Sequence, residues 1–182
     1  MHNGHLVAAL TVRTVLGLER VLMVLAPDPW QKMDRELAPV EDRLAMLHAA
    51  VDGVDGLEVS RLELDRPGPT YTADTVEELS SRSPAPELFL IVGADVAAEL
   101  ATWDRTDVIR DLATVAIVSR ADVDEPAAPG PGWRVHHVRM PALEISSTDL
   151  RRRAAVGEPL DGLMPPESVR CLRERGLYPG PE

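Results

Sequence analysis

Apolar residues along this 182-residue chain fall into two rhythms. Val21–Leu25, Leu88–Val92 and Val115–Val118 are unbroken apolar runs of strand length, the pattern of parallel strands covered on both faces. Leu57–Leu64 alternates instead, with Leu57, Val59 and Leu62 set against Glu58, Ser60 and Arg61, and predicts a strand nearer a sheet edge. Amphipathic stretches between these runs predict helices over Gly4–Leu16, Val40–Val51, Thr72–Ser81, Val96–Ala101, Thr106–Leu112, Ser147–Ala155 and Pro166–Arg175. Gly17 and Gly176 stand where helices should end, and Pro166 suits a first helical turn. Two stretches break the rhythm. Ala26–Pro39 carries Pro27, Pro29 and Pro39. Residues 120–133 carry Pro126, Pro129, Gly130, Pro131 and Gly132 with little apolar content, and read as a surface loop that does no chemistry. The alternation of strands and helices predicts an α/β fold, a Rossmann-like doubly wound parallel sheet whose ligands bind beyond the carboxyl ends of the strands.

Composition narrows the partners. Residues 1–182 are long enough for one domain with a real core. With 19 Lys and Arg against 30 Asp and Glu, the formal net charge is −11, which argues against nucleic acid or an anionic membrane as a partner. A few cations gathered in one cleft could still hold a phosphate. Cys171 is the single cysteine, so no internal disulfide framework exists, and the residue reads as a small packed side chain. Neither a signal peptide nor a membrane-spanning apolar stretch is visible, and the cytoplasm is the expected compartment.

The candidate chemistry gathers where that fold would place a site. Met1-His2-Asn3-Gly4-His5 sets two histidines one turn apart at a helix start. There the open N–H groups and the helix dipole favour an anion, and Gly4 permits its close approach. Lys32 lies in the loop after the Val21 run, Gly93-Ala94-Asp95 follows the Leu88 run, and Ser119-Arg120 ends the Val115 run. Ile145-Ser146-Ser147-Thr148 leads into a helix carrying Arg151, so that hydroxyls and a guanidinium share its first turn. Either phosphate motif alone is a cheap pattern, and a capped basic helix is its bland reading. Both in one α/β chain, in this order, point to a nucleotide. Asp122, Asp124 and Glu125 read as solubility charges of a loop rather than a metal cage, and His136-His137 as structural residues of a strand.

Taken together these segments resemble the bacterial nicotinate-nucleotide adenylyltransferases, of the nucleotidyltransferase superfamily with its Thr/His-x-Gly-His signature. The likeness spans essentially the whole chain and rests on His2-Asn3-Gly4-His5-Leu6, Pro29-Trp30-Gln31-Lys32, the segment Asp65–Thr75, Val92-Gly93-Ala94-Asp95, Thr102-Trp103, Ser119-Arg120, Ile145–Arg151, Leu163-Met164-Pro165 and Arg175–Tyr178. Gly68-Pro69-Thr70-Tyr71-Thr72 and the Gly-Ala-Asp…Thr-Trp pair separate it from phosphopantetheine adenylyltransferase, which shares only the phosphate motifs.

The resemblance implies transfer of AMP from ATP to nicotinate mononucleotide, giving deamido-NAD and pyrophosphate. It implies that His2, His5, Lys32, Arg120, Ser146, Ser147, Thr148 and Arg151 hold ATP, with His2, His5 and Arg151 catalytic. Tyr71, Thr72, Gly93, Asp95 and Trp103 would hold the mononucleotide. Mg²⁺ would travel on the ATP oxygens with mostly water ligands, so no carboxylate cage is expected. Homo-oligomerisation stays open. So do two other readings: a related transferase using nicotinamide mononucleotide or another phosphate acceptor, and an inactive truncated remnant that only binds nucleotide.

The sequence departs from the family pattern in two places. Members of the family carry a strand and a Gly-Gly-Thr-Phe-Asp-Pro segment just before the position of Met1. The expectation is therefore a nucleotidyltransferase sheet lacking its first strand, with a misassigned start that DNA upstream would reveal. Gln31 also stands where many members have His; its amide still donates, and Lys32 keeps the charge.

Overall fold

The computed structural model describes residues 1–27, 38–82, 84, 86–120 and 128–180. The first helix, α1 (Asn3–Leu16), ends at Gly17, whose φ of 63° is the left-handed conformation that closes a helix with least strain. A short turn leads to β1 (Val21–Val24), then α2 (Val40–Val51) and β2 (Leu57–Ser60). One helical turn, α3 (Leu62–Asp65), and the helix α4 (Thr72–Ser80) precede β3 (Leu88–Gly93) and α5 (Ala94–Glu99). A 3₁₀ turn at Leu100–Thr102 leads to α6 (Thr106–Leu112), followed by β4 (Ala113–Arg120), β5 (Val135–Met140), α7 (Ser147–Ala155) and α8 (Pro166–Glu174).

Every strand pair among the described residues is parallel. The pairing makes two sheets rather than one: β1 with β2, and β3-β4-β5. Among the described residues no strand lies between β1 and β3, so the expected single sheet is divided there. Ile91 of β3 nevertheless packs both against the core of the first sheet, with Val21, Ala50 and Leu57, and against that of the second. β4 shows why the fold is wound on both faces. Its successive side chains point to opposite sides. Val115 and Ile117 join Ala97 and Leu100 beside α5, while Ala116 and Val118 join Val12 of α1.

Local chemistry moved some expected boundaries. The strand expected over Leu57–Leu64 stops at Ser60, where the serine hydroxyl accepts the Leu62 N–H at 3.4 Å and starts a turn. As expected of an edge, β2 pairs among the described residues with β1 alone. The helix expected over Val96–Ala101 begins at Ala94, because Gly93 both ends β3 and occupies the cap position of α5, leaving no linker. His136 and His137 lie on β5.

Parallel pairing brings the strand ends to one side. Gly93 sits opposite Val118 in register, and Arg120 opposite Met140. Because only a short turn joins α1 to β1, the helix runs back along the strand and its start lies toward the same side. A separate cluster of Met46, Leu150, Leu160, Met164, Val169 and Leu172 packs α2, α7 and α8 together. Ser168, fully buried in it, donates to the Met46 carbonyl at 3.0 Å. That core fixes the axis of α7 and hence the aim of its first turn.

Candidate functional site

The start of α1 is held by three elements of chemistry. His2 caps the helix in an extended conformation and is buried, whereas His5 is exposed. Their rings stack with centroids 3.7 Å apart. The His2 backbone N–H donates to His5 Nδ1 at 3.4 Å. With Nδ1 accepting, a neutral His5 ring carries its proton on Nε2, so the outward edge of the ring is a donor. The Asn3 amide donates to the Leu163 carbonyl at 3.0 Å, and the Asn3 side chain to the Gly162 carbonyl at 2.8 Å. Asn3 thereby ties this tip to the segment between α7 and α8. Nothing in the His-x-Gly-His pattern signals that contact, which spans nearly the whole chain.

Gly4 has a different task. A Cβ on it would stand 3.0 Å from His2 Nδ1, so only glycine leaves the His2 ring where it is. Among the described residues the Gly4 amide takes no backbone acceptor, which leaves it for an anion.

The second tip is α7. Ser146 is its cap and accepts the Asp149 N–H at 3.1 Å, a use of the hydroxyl that the sequence alone suggests. Three consecutive arginines follow, and the structure divides them. Arg152 and Arg153 both pair with Asp149 and with Glu158. Among the described residues no carboxylate pairs with Arg151; its guanidinium donates to the Thr148 hydroxyl at 3.4 Å, toward the tip. The Arg153 and Arg152 hydrogen bonds hold the Asp149 carboxyl below its usual range, and that of Arg152 does the same for Glu158. A carboxyl with a lowered folded-state pKa keeps its pairing above the ordinary carboxylate range and loses it only as pH falls through the lowered value. At neutral pH Asp149 is therefore committed to its own helix, and the tip faces outward with hydroxyls and one cation. Arg120, exposed at the end of β4, pairs at 3.7 Å with Glu144, two residues before Ser146, so the β4 end lies beside the entrance to α7.

The remaining expected residues form another group. Tyr71, exposed, caps α4 in an extended conformation, and no side chain caps the amides of that first turn. The loop before it is anchored by Arg66, which donates to Thr75 Oγ1 at 3.2 Å and to Glu78 at 2.7 Å. Trp103 is half-buried beside Leu100 and Val115. Its indole N–H is buried without a hydrogen-bond partner among the described residues, so the part of the ring left to solvent is carbon. The next residue but one, Arg105, reaches back to Asp74 and Glu77 on α4 and so connects Trp103 to the Tyr71–Thr72 end. Gly93 has open space where a Cβ would stand, and Asp95 is exposed in the first turn of α5. Lys32, with the rest of Pro29-Trp30-Gln31-Lys32, lies outside the described residues, as do Asp122, Asp124 and Glu125.

Comparison with known proteins places the chain in a family. The cytidylyltransferase-like family profile covers residues 1–153. A protein of Corynebacterium kroppenstedtii named "Probable nicotinate-nucleotide adenylyltransferase" is 42% identical over 98% of this chain and 85% of its own length. A protein of Streptomyces coelicolor with the same name is 41% identical over 99% of this chain and 96% of its own. Among solved structures, the Plasmodium falciparum nicotinic acid mononucleotide adenylyltransferase complexed with NaAD superposes with a TM-score of 0.78, covering 98% of this chain and 91% of that one at 14% identity. At that identity the superposition speaks for the fold.

Proposed function

The chain belongs to the nicotinate-nucleotide adenylyltransferase family, and from that premise we propose how its residues carry the reaction. The chain is a nucleotidyltransferase of NAD biosynthesis, moving AMP from ATP to nicotinate mononucleotide with release of pyrophosphate. The observation that carries the assignment of the phosphate site is the contrast among three neighbouring arginines. Arg152 and Arg153 are neutralised by Asp149 and Glu158, while Arg151 keeps its charge for the tip of α7.

In this reading the start of α1 and the start of α7 hold one triphosphate between them. His5 Nε2–H, the His2 ring and the Gly4 amide face it from one side. Ser147, Thr148 and Arg151 face it from the other, with Ser146 setting the helix cap and Arg120 at the margin, and Lys32 is assigned to ATP by its motif alone. The nucleophile is the mononucleotide's own phosphate, largely ionised near neutral pH because its second pKa is about 6. A new bond forms from that phosphate oxygen to the α-phosphorus of ATP, and the bond from the α-phosphorus to pyrophosphate breaks. No protein nucleophile is required. The work is in-line positioning and stabilisation of charge on the departing oxygens, the tasks that suit His2, His5 and Arg151.

A divalent metal accompanies the triphosphate in this family, and Mg²⁺ is the proposed ion. At the α7 tip the donor set is hydroxylic and cationic, with Asp149 turned to its arginines. Such a set fits phosphate, and the metal would be held by phosphate oxygens and water, where it supplies charge neutralisation. For the second substrate, the first-turn amides of α4 at Tyr71–Thr72 suit the ring carboxylate, Trp103 offers a face to the pyridine ring, and Gly93 and Asp95 suit the ribose side. No described helix is long and apolar enough to cross a membrane, and the proposed compartment is the cytoplasm.

Pyrophosphate release with ATP plus either the acid or the amide mononucleotide tests this reading. Preference for the acid is expected. Trp103→Ala should raise KM for nicotinate mononucleotide about tenfold, the scale of one lost aromatic stack, with KM for ATP unchanged. Preference for the amide would overturn the Tyr71–Thr72 assignment, and an unchanged KM would remove Trp103 from the site.

A further inference from the structure

We propose that Arg105 is a positioning residue of the pyridine-nucleotide site, a latch that sets the distance between Trp103 and the start of α4. The inference rests on the assignment of Tyr71, Thr72 and Trp103 above and deepens it.

Arg105 caps α6 with φ 47° and ψ 50°. Apart from Tyr178, it is the sole described non-glycine residue with positive φ. A side chain with a Cβ avoids that region unless its surroundings hold it there. Arg105 is held at both ends: its carbonyl accepts the Val108 and Ile109 N–H groups at 3.0 and 3.4 Å, and its guanidinium reaches α4. One nitrogen donates to Asp74 and another to Glu77 at 3.0 Å, while Nε lies 3.6 Å from Asp104. Asp74 and Glu77 are one turn apart on α4, a spacing that a planar two-pronged cation can span and a point charge cannot span in the same way.

Two consequences follow for the site. The turn carrying Trp103 is tied to the very turn of α4 whose amides would receive the ring carboxylate, so the aromatic face and the anion-binding end keep a fixed spacing. The pairing also offsets part of the negative charge of Asp74, in the first turn of α4, and of Asp104, next to Trp103 in sequence, which together would repel an anionic ligand more strongly without it. Arg105 is 40% exposed, and solvent screens such pairs, so its contribution to overall stability is small. Its effect is on geometry. Glycine at this position would satisfy the backbone but make no latch, so the φ value and the guanidinium can be separated by substitution.

The test uses calorimetric titration of nicotinate mononucleotide and of ATP separately, which reads binding without turnover. Asn tolerates the left-handed backbone, so Arg105→Asn removes the guanidinium with little new strain. It should weaken mononucleotide binding about three- to tenfold, the effect of loosening one binding element, and leave ATP binding within about twofold. Arg105→Lys should recover part of the loss. From the other side of the latch, the double variant Asp74→Asn/Glu77→Gln should reproduce the loss, and adding Arg105→Asn to it should change little further, because the interaction is already absent. That arm also carries the test should Arg105→Asn fail to fold. Unchanged mononucleotide affinity in both arms, or equal losses for ATP, would overturn the latch. Trp103→Ala in the same titration separates the levels: if it weakens the mononucleotide while both latch variants do not, the latch alone fails; if it too has no effect, the site assignment fails with it.

Discussion

Replacing Arg151 by alanine is expected to lower kcat/KM for ATP about a hundredfold, the usual scale for losing one preorganised donor aimed at developing charge. The size follows from what surrounds the residue. Arg152 and Arg153 share Asp149 and Glu158, and Arg151 alone of the three directs its guanidinium to the Thr148 end of the helix. Arg152→Gln is the matching control. It removes an equal charge one residue away, yet Asp149 and Glu158 keep Arg153, so the loss there should stay within about threefold, as for a screened surface charge. Steady-state kinetics on the pair decides the matter. Equal losses would mean that net charge on α7, and not the aim of one side chain, attracts the nucleotide.

His5→Ala should produce a loss of similar size, about a hundredfold in kcat/KM, because it removes the donor on the opposite tip. The His5 tautomer sets a further expectation. The backbone N–H of His2 bonds to His5 Nδ1, and in the proposed site the donor to phosphate is Nε2–H. Gln carries an amide nitrogen near the position of Nε2, while Asn reaches only as far as Nδ1. His5→Gln should therefore recover part of the activity and His5→Asn little of it. The reverse order would show that Nδ1 faces the ligand and that the capping contact is broken in the working enzyme.

Much of the architecture could be read from residue order because it depends on local rules. Continuous apolar runs marked β1, β3 and β4, alternation marked β2, and the helix bounds over Val40–Val51, Thr106–Leu112 and Ser147–Ala155 followed from periodicity. Errors arose where one residue served two elements or a side chain ended one early. Gly93 is both strand end and helix cap, and the Ser60 hydroxyl closes β2 before the apolar alternation ends. Division of the strands into two sheets depends on long-range pairing that no local pattern encodes. At the candidate site, the motif residues were legible by type and spacing. Their wiring was not. The bonds from Asn3 to Gly162 and Leu163 join residues from opposite ends of the chain, and the split among Arg151, Arg152 and Arg153 depends on how Glu158 folds back beyond the helix end. The role inferred for Arg105 rests on a positive φ and a pairing with α4, neither of which its neighbours in sequence announce.

The central claim is that two helix starts, one near each end of the polypeptide, grip a single nucleoside triphosphate. A crystal structure of the protein with a non-hydrolysable ATP analogue measures it directly. The account predicts one triphosphate with oxygens within about 2.7–3.2 Å of both His5 Nε2 and the Arg151 guanidinium. Phosphates bound at the α1 start with Arg151 left in solvent, or at α7 with His5 untouched, would contradict it.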